Sequence, residues 1–197
     1  LLIILPLLLI VGCSKVEGKQ DLIPVVATRK NGSISRISYH KITGNNIVLV
    51  KQTRWDKNGQ KSQENTFKDG KRDGKWTEWY WDGQKKIEGT YKDGVEDGLW
   101  TEWYENGQKR SEGTYKDGVE DGLWTYWYEN GQKRSEGKYN GIHYVLGSNR
   151  PKQDGLWTKW YENGQKKYEG TYKDGKEIFD KCWDGDGNEK ECKDMRY

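Results

Sequence analysis

The chain has 197 residues, of which 33% are charged and 32% hydrophobic, and its formal net charge is +3 at pH 7. The balance of 34 basic against 31 acidic residues lacks the concentrated basic footprint of a nucleic-acid-binding protein. The low hydrophobic fraction is typical of disordered chains, but 11 Trp and 13 Tyr provide large rings that can bury substantial area. The composition therefore predicts a folded sheet with an aromatic face and a charged face.

The N-terminus reads as an export signal. Residues 1–11 are almost entirely apolar, too short to span a bilayer as a helix and typical of the core of a secretory signal. Residues 10–13 (Ile-Val-Gly-Cys) resemble the bacterial lipobox, in which Cys13 becomes the lipidated first residue; the alternative is an ordinary signal cleaved after Gly12. We expect an N-terminally truncated lipoprotein signal peptide over 1–12, the lipidated Cys13 with a polar tether over 13–24, and a lipid-anchored location in a bacterial envelope, at the outer membrane or cell surface.

Residues 25–50 are richer in β-branched side chains than the rest of the chain. Asn31-Gly32 and Gly44-Asn45 offer turns, so the segment predicts an N-terminal β cap that covers the end of a repeat stack. His40 here and His143 further on have no Cys, Asp or Glu at ligand spacing. They are interpreted as surface or packing histidines, and no metal or other cofactor is expected.

A repeat of 24 residues organises residues 51–180. Trp76, Trp100 and Trp124 begin successive copies, and Trp157 begins another after an insertion over 140–154. A fixed period of this size is typical of stacked repeats in which each unit contacts its neighbours.

Each copy predicts a β-hairpin. Asn106-Gly107 lies between two alternating runs and is interpreted as a two-residue turn, which places Trp103 opposite Arg110 and Trp100 opposite Gly113. The recurrent Asp-Gly pairs, such as Asp117-Gly118, are interpreted as a looser second turn. The fold class is therefore all-β: an open, elongated antiparallel sheet of tandem hairpins with period 24.

The stretch from Glu112 through Gly122 (EGTYKDGVEDG) resembles the membrane occupation and recognition nexus (MORN) repeat. Trp-Tyr-x-x-Gly-Gln-Lys with Glu-Gly-x-Tyr is similar to the bacterial variant often catalogued as antitoxin-like. The resemblance covers residues 55–178, and it departs from the pattern where Asn65 replaces a glycine and at the insertion. It implies an open sheet of consecutive hairpins and a role in binding rather than catalysis.

The aromatic residues fall into two sets. One set is predicted to form the repeat core: Trp76, Trp100, Trp124, Trp157, Tyr91, Tyr115, Tyr139 and Tyr172. A second set should point to the opposite face and, with two arginines, is the candidate binding surface: Trp79, Trp103, Trp127, Trp160, Arg110 and Arg134.

The C-terminal segment, 181–197, is interpreted as a last hairpin. We expect a disulfide between Cys182 and Cys192 to cross-link this hairpin, because an envelope compartment is oxidising. A three-residue turn centred on Gly187 would place the two cysteines opposite each other. Asp184, Asp186 and Asn188 have the spacing that opens a calcium loop, but the expected glycine and final Glu are absent, so a hairpin turn is favoured.

No phosphate-binding loop, nucleophile elbow or zinc spacing is present in the sequence. Acidic pairs such as Glu102 and Glu112 recur in several copies, whereas an active site is normally unique, so we expect no enzyme. The predicted function is an envelope-tethered scaffold that binds a protein or an envelope component, with the membrane as a partner through its lipid and no nucleic acid. A carbohydrate- or cell-wall-binding aromatic array and an antitoxin-like inhibitor are the alternatives, and the oligomeric state is open.

Overall fold

The computed structural model describes residues 22–145 and 148–192, without the side chains of 142–150. The predicted signal peptide and Cys13 lie outside the described residues. Within them the chain forms one antiparallel sheet of 15 strands and no helix. The sheet follows the order of the chain from β1 to β15, with the short β7 pairing beside it on β6. The predicted all-β, open hairpin architecture is confirmed.

The strands are β1 (Ile23–Thr28), β2 (Ile34–Thr43), β3 (Asn46–Trp55), β4 (Lys61–Lys68), β5 (Lys71–Trp79), β6 (Lys85–Lys92), β7 (Val95–Glu96), β8 (Gly98–Trp103), β9 (Lys109–Lys116), β10 (Val119–Trp127), β11 (Lys133–Val145), β12 (Ser148–Trp160), β13 (Lys166–Lys173), β14 (Lys176–Trp183) and β15 (Glu189–Lys190). The first three strands precede the repeats. The insertion lengthens β11 and β12 into an arm of 13-residue strands.

The two kinds of turn are the reverse of those predicted. Asp117 and Gly118 both have positive φ, 51° and 80°, and Lys116 pairs with Val119 across them. That is the tight two-residue type I′ turn. At the other turn the Gly107 amide donates to the Tyr104 carbonyl at 3.0 Å, and only Gly107 has positive φ.

The wider turn changes the register that follows it. Trp100 still pairs with Gly113, but the register shifts after Glu102, and Trp103 pairs with Lys109 instead of Arg110. The predicted pairing of Trp103 with Arg110 is therefore wrong. Arg110 is the extra residue of a bulge, which is a usual consequence of a longer hairpin loop that contains a left-handed glycine.

The core lies between repeats and not within them. Although Trp100 pairs with Gly113, its ring covers Gly89 of the preceding copy, where an added Cβ would lie 2.2 Å from the ring. Trp124 covers Gly113 in the same way, and its indole nitrogen donates to the Thr114 carbonyl at 3.1 Å. The tryptophan of each copy thus packs on the glycine of the preceding copy, which is the nearest-neighbour coupling typical of repeat proteins.

The two ends of this series of tryptophan–glycine contacts depart from the pattern. In the first copy Asn65 occupies the glycine position, and the Trp76 indole nitrogen and the Asn65 side-chain oxygen are buried without a hydrogen-bond partner. At the C-terminal end Tyr168 bends over Gly170 of its own strand, and its hydroxyl meets that of Tyr172 at 2.6 Å. Tyr168 therefore fills the place of a following tryptophan.

A disulfide joins Cys182 and Cys192, whose Cα atoms are 5.4 Å apart. The register differs from the expected one, because Cys182 pairs with Lys190 and the preceding turn has the same hydrogen bonds as the other wide turns. Cys182 is fully buried and pairs with Tyr168 on its other side, so the bridge covers the last repeat.

Candidate binding site on the aromatic face

The sheet has two faces of different chemistry. Trp100 and Trp103 are three residues apart on β8, and side chains alternate along a strand, so they point to opposite faces. We call the side that carries Trp76, Trp100, Trp124 and Trp157 the aromatic face, and the side that carries Trp79, Trp103, Trp127, Trp160 and Trp183 the ladder face.

From Trp76 to Trp124 the rings of the aromatic face form a continuous chain of edge contacts. Tyr91 lies 5.6 Å from Trp76 and 5.3 Å from Trp100, and Tyr115 lies 5.6 Å from Trp100 and 5.1 Å from Trp124. Such contacts are favourable beyond the area that they bury. Further along the face, Tyr139 makes an edge contact with Trp157 at 4.8 Å, and Tyr172 contacts Tyr168 through its hydroxyl.

A cavity of about 240 Å³ opens on this face between the first and third repeats. The rings of Trp76, Tyr91, Trp100, Tyr115 and Trp124 line it together with Ile87, Ser111, Glu96 and Glu102. Binding sites are usually concave and combine aromatic side chains with a few convergent polar groups. Here those groups include two carboxylates.

Burial and nearby carboxylates perturb the titrating groups of this face. Burial, reinforced by Glu120, Glu102 and Glu96, raises the pKa of Tyr115 to about 12. Burial also raises the pKa of Glu120, and the negative charge of Glu102 adds to the effect. Tyr115 therefore lies among the negative charges of three carboxylates in a partly desolvated setting.

Comparison with known proteins addresses the repeats directly. The family described as MORN repeat variant matches residues 72–93, 96–117, 120–140 and 153–174. Four tandem segments of the chain are therefore similar to this repeat. The match bears on the repeats and carries neither the lipoprotein nor the antitoxin-like attribution.

No curated protein matches the chain. A crystal structure of a protein with unknown function from Bacteroides fragilis is similar over 68% of this chain and 89% of that chain, with 10% identity and a TM-score of 0.24. A likeness at that level carries no argument about this protein.

On the ladder face the repeats are joined by charged side chains. The Lys109 ammonium group lies 2.6 Å from Glu112, whose carboxylate also accepts a hydrogen bond from Thr101. The same ammonium group lies 5.7 Å from the ring of Trp127 in the next repeat. Equivalent contacts place Lys61 near Trp79, Lys85 near Trp103, Lys133 near Trp160 and Lys166 near Trp183.

The structure does not bring the six predicted binding residues together. The four tryptophans lie half-buried on the ladder face. The Arg110 guanidinium lies 3.6 Å from Glu102 on the aromatic face, and that of Arg134 lies 5.6 Å from the Tyr126 ring, which stacks on Trp124. The bulge accounts for the separation, because it moves Arg110 out of register with Trp103.

The sequence analysis named Glu102 only as one of a recurrent acidic pair and did not single out Glu96, so neither was predicted to line a binding site. Glu96 begins the second matched repeat, at the position where the first repeat has Arg72 and the third Glu120. This exchange of sign at one repeat position was the available signal.

Within residues 22–145 and 148–192, no three His, Cys, Asp or Glu side chains group as metal ligands. No helix in that part of the chain is long and apolar enough to cross a membrane.

Proposed function

We propose that the protein is a non-catalytic MORN repeat scaffold, tethered to a bacterial envelope by lipid on Cys13, which binds a protein or another envelope component through its aromatic face. The observation that carries the proposal is the cavity that the rings of three successive repeats form together with Glu96 and Glu102. The lipobox-like Ile-Val-Gly-Cys sequence supports the tether.

Two features favour binding over catalysis. The recurrent carboxylates of the ladder face, such as Glu112 and Glu136, each hold a lysine at 2.6 Å and a threonine hydroxyl, and thereby join strands. The polar groups that line the cavity, Glu96, Glu102 and Ser111, lie among aromatic rings, an arrangement that is typical of binding sites.

Binding to isolated envelopes tests the proposal with a variant on each face. Ser111 lines the cavity and corresponds to Ile87 one repeat earlier, so Ser111→Ile narrows the cavity with a side chain that the repeat already accepts. Leu123, 52% exposed on the ladder face, provides the control Leu123→Asn.

We expect Ser111→Ile to lower the fraction of chain that sediments with envelopes at least fivefold and Leu123→Asn to leave it unchanged. Equal effects of the two variants would contradict the assignment of the aromatic face. Binding to purified peptidoglycan that depends on position 111 in the same way would identify the partner as carbohydrate.

The tether is tested separately, by mass spectrometry of the N-terminal peptide of the native protein from membrane fractions. We expect diacyl or triacyl modification of Cys13. An unacylated chain in the soluble fraction would overturn the tether and move the antitoxin-like alternative forward.

A further inference from the structure

The first repeat contains a cation site that its own arginine fills. The Arg72 guanidinium lies 5.5 Å from the centre of the Trp76 ring and 5.1 Å from that of Tyr91. It also donates a hydrogen bond to the Tyr91 hydroxyl at 3.2 Å, and that hydroxyl donates to Glu96 at 3.1 Å. A guanidinium over two ring faces is a favourable cation–π arrangement.

The second repeat keeps the rings but lacks the cation. Trp100 and Tyr115 lie 5.6 Å apart at 74°, close to the 5.6 Å and 67° of Trp76 and Tyr91. The position that corresponds to Arg72, 24 residues later, is Glu96. The aromatic frame is thus repeated with a negative charge where the first repeat has a positive one.

The cavity lies at this second pair of rings, and Glu96 and Glu102 both line it. Arg72 is linked to Glu96 only indirectly, through the Tyr91 hydroxyl that accepts from Arg72 and donates to Glu96. The nearest cation to Glu102 is Arg110, whose nitrogen is 3.6 Å away and whose side chain is 59% exposed, so it sits at the rim as a loose partner.

We propose that this cavity binds an organic cation, with the cationic group held against the Trp100 and Tyr115 rings and balanced by Glu96 and Glu102. The proposal rests on the scaffold function above and specifies its ligand chemistry. Rings attract a cation through their negative faces, and carboxylates add the charge that a neutral sugar would not require. The cation could be a guanidinium or ammonium group on a partner's basic side chain, or a free quaternary ammonium compound.

The test is a titration of the full chain, labelled with ¹⁵N, that follows the indole N–H resonances of Trp100 and Trp124. The probes are N-acetyl-arginine amide, N-acetyl-lysine methylamide and tetramethylammonium chloride, which distinguish the three sources of cation. Sodium chloride controls for ionic strength, and tert-butanol is an uncharged molecule of similar shape to tetramethylammonium. We expect saturable shifts with at least one organic cation and none with either control.

Two variants locate the site. Glu96→Arg recreates in the second repeat the arrangement of Arg72 and should lower the affinity for the cation at least tenfold by supplying an internal competitor. Glu102→Gln keeps the shape of the cavity, removes one charge and should lower the affinity severalfold. Glu78→Gln is the matched control, because Glu78 holds the same position one repeat earlier, where it accepts a hydrogen bond from Gln63.

Equal shifts with tert-butanol, an unchanged affinity in Glu96→Arg and Glu102→Gln, or no saturable shift with any cation would each overturn the proposal. If no cation gives a saturable shift but the chain still binds envelopes in a manner sensitive to position 111, the cation site alone is refuted. If neither the saturable shift nor the envelope binding is observed, the scaffold function is refuted as well.

Discussion

Substitution of Gly113 by alanine tests the coupling between repeats by the sign of its effect. An alanine Cβ at this position would lie 2.1 Å from the Trp124 ring, so the ring must move. Without that contact the substitution should stabilise a strand by about 0.5–1 kcal/mol, because glycine loses more conformational entropy on folding.

The structure predicts destabilisation instead. Overpacking costs about 1–3 kcal/mol. Displacement of Trp124 also breaks the hydrogen bond from its indole nitrogen to the Thr114 carbonyl, which contributes about 1 kcal/mol. After subtraction of the strand preference, the net loss is about 2 kcal/mol, equivalent to a fall of about 1 M in the urea midpoint for a typical slope.

Urea unfolding followed by far-ultraviolet circular dichroism measures this difference. Gly185→Ala is the matched control, because no atom lies within 4 Å of the added Cβ and its φ is ordinary; its midpoint should stay within the range of a neutral surface change, about 0.5 kcal/mol. A Gly113→Ala protein as stable as the parent would refute the packing of Trp124 over Gly113.

Three further predictions concern stability. The pKa of Glu120 is raised in the folded protein, so its contribution to stability is fully present below the unfolded-state pKa and is lost as pH rises through the folded-state pKa. Glu120→Gln should therefore have a higher urea midpoint than the parent at neutral pH, and the difference between the two proteins should vanish in acid. Reduction of the disulfide between Cys182 and Cys192 opens a loop with a sequence separation of 10 and should lower the free energy of unfolding by about 2–3 kcal/mol by the chain-entropy relation. The difference in thermal midpoint with and without reductant measures this loss, and the variant with both cysteines replaced by alanine should not respond to reductant. Asn65→Gly removes a buried side-chain oxygen that has no hydrogen-bond partner and lets the Trp76 ring pack over a glycine as the equivalent tryptophans do. Calorimetry should therefore show a gain of about 1 kcal/mol despite the cost of glycine in a strand, and a lower melting temperature would contradict this account of the contact between Asn65 and Trp76.

The period and the alternation of residues were sufficient to predict the fold and the faces of the tryptophans. A period of 24 with a turn signal in each half allows a hairpin array, and the odd spacing of Trp100 and Trp103 places them on opposite faces of any strand. Both conclusions depend only on local geometry.

The turn types could not be decided in this way. Asn106-Gly107 and Asp117-Gly118 both tolerate a type I′ turn, and the choice between them depends on the hydrogen bonds that the flanking strands form with their neighbours. The error moved Arg110 to the wrong face. The overlap of Trp124 with Gly113 was equally hidden, because strand register identifies the opposite residue but not the direction in which a large ring leans.

The central claim is that the aromatic face meets the partner, and site-specific photo-cross-linking in living cells tests it most directly. A photoreactive residue at position 110, at the rim of the cavity, is compared with one at position 123 on the ladder face; Arg110 and Leu123 are both exposed. We predict one discrete cross-linked product from position 110 that the Ser111→Ile change weakens, and none from position 123. A product from position 123 alone would contradict the claim and assign binding to the ladder face.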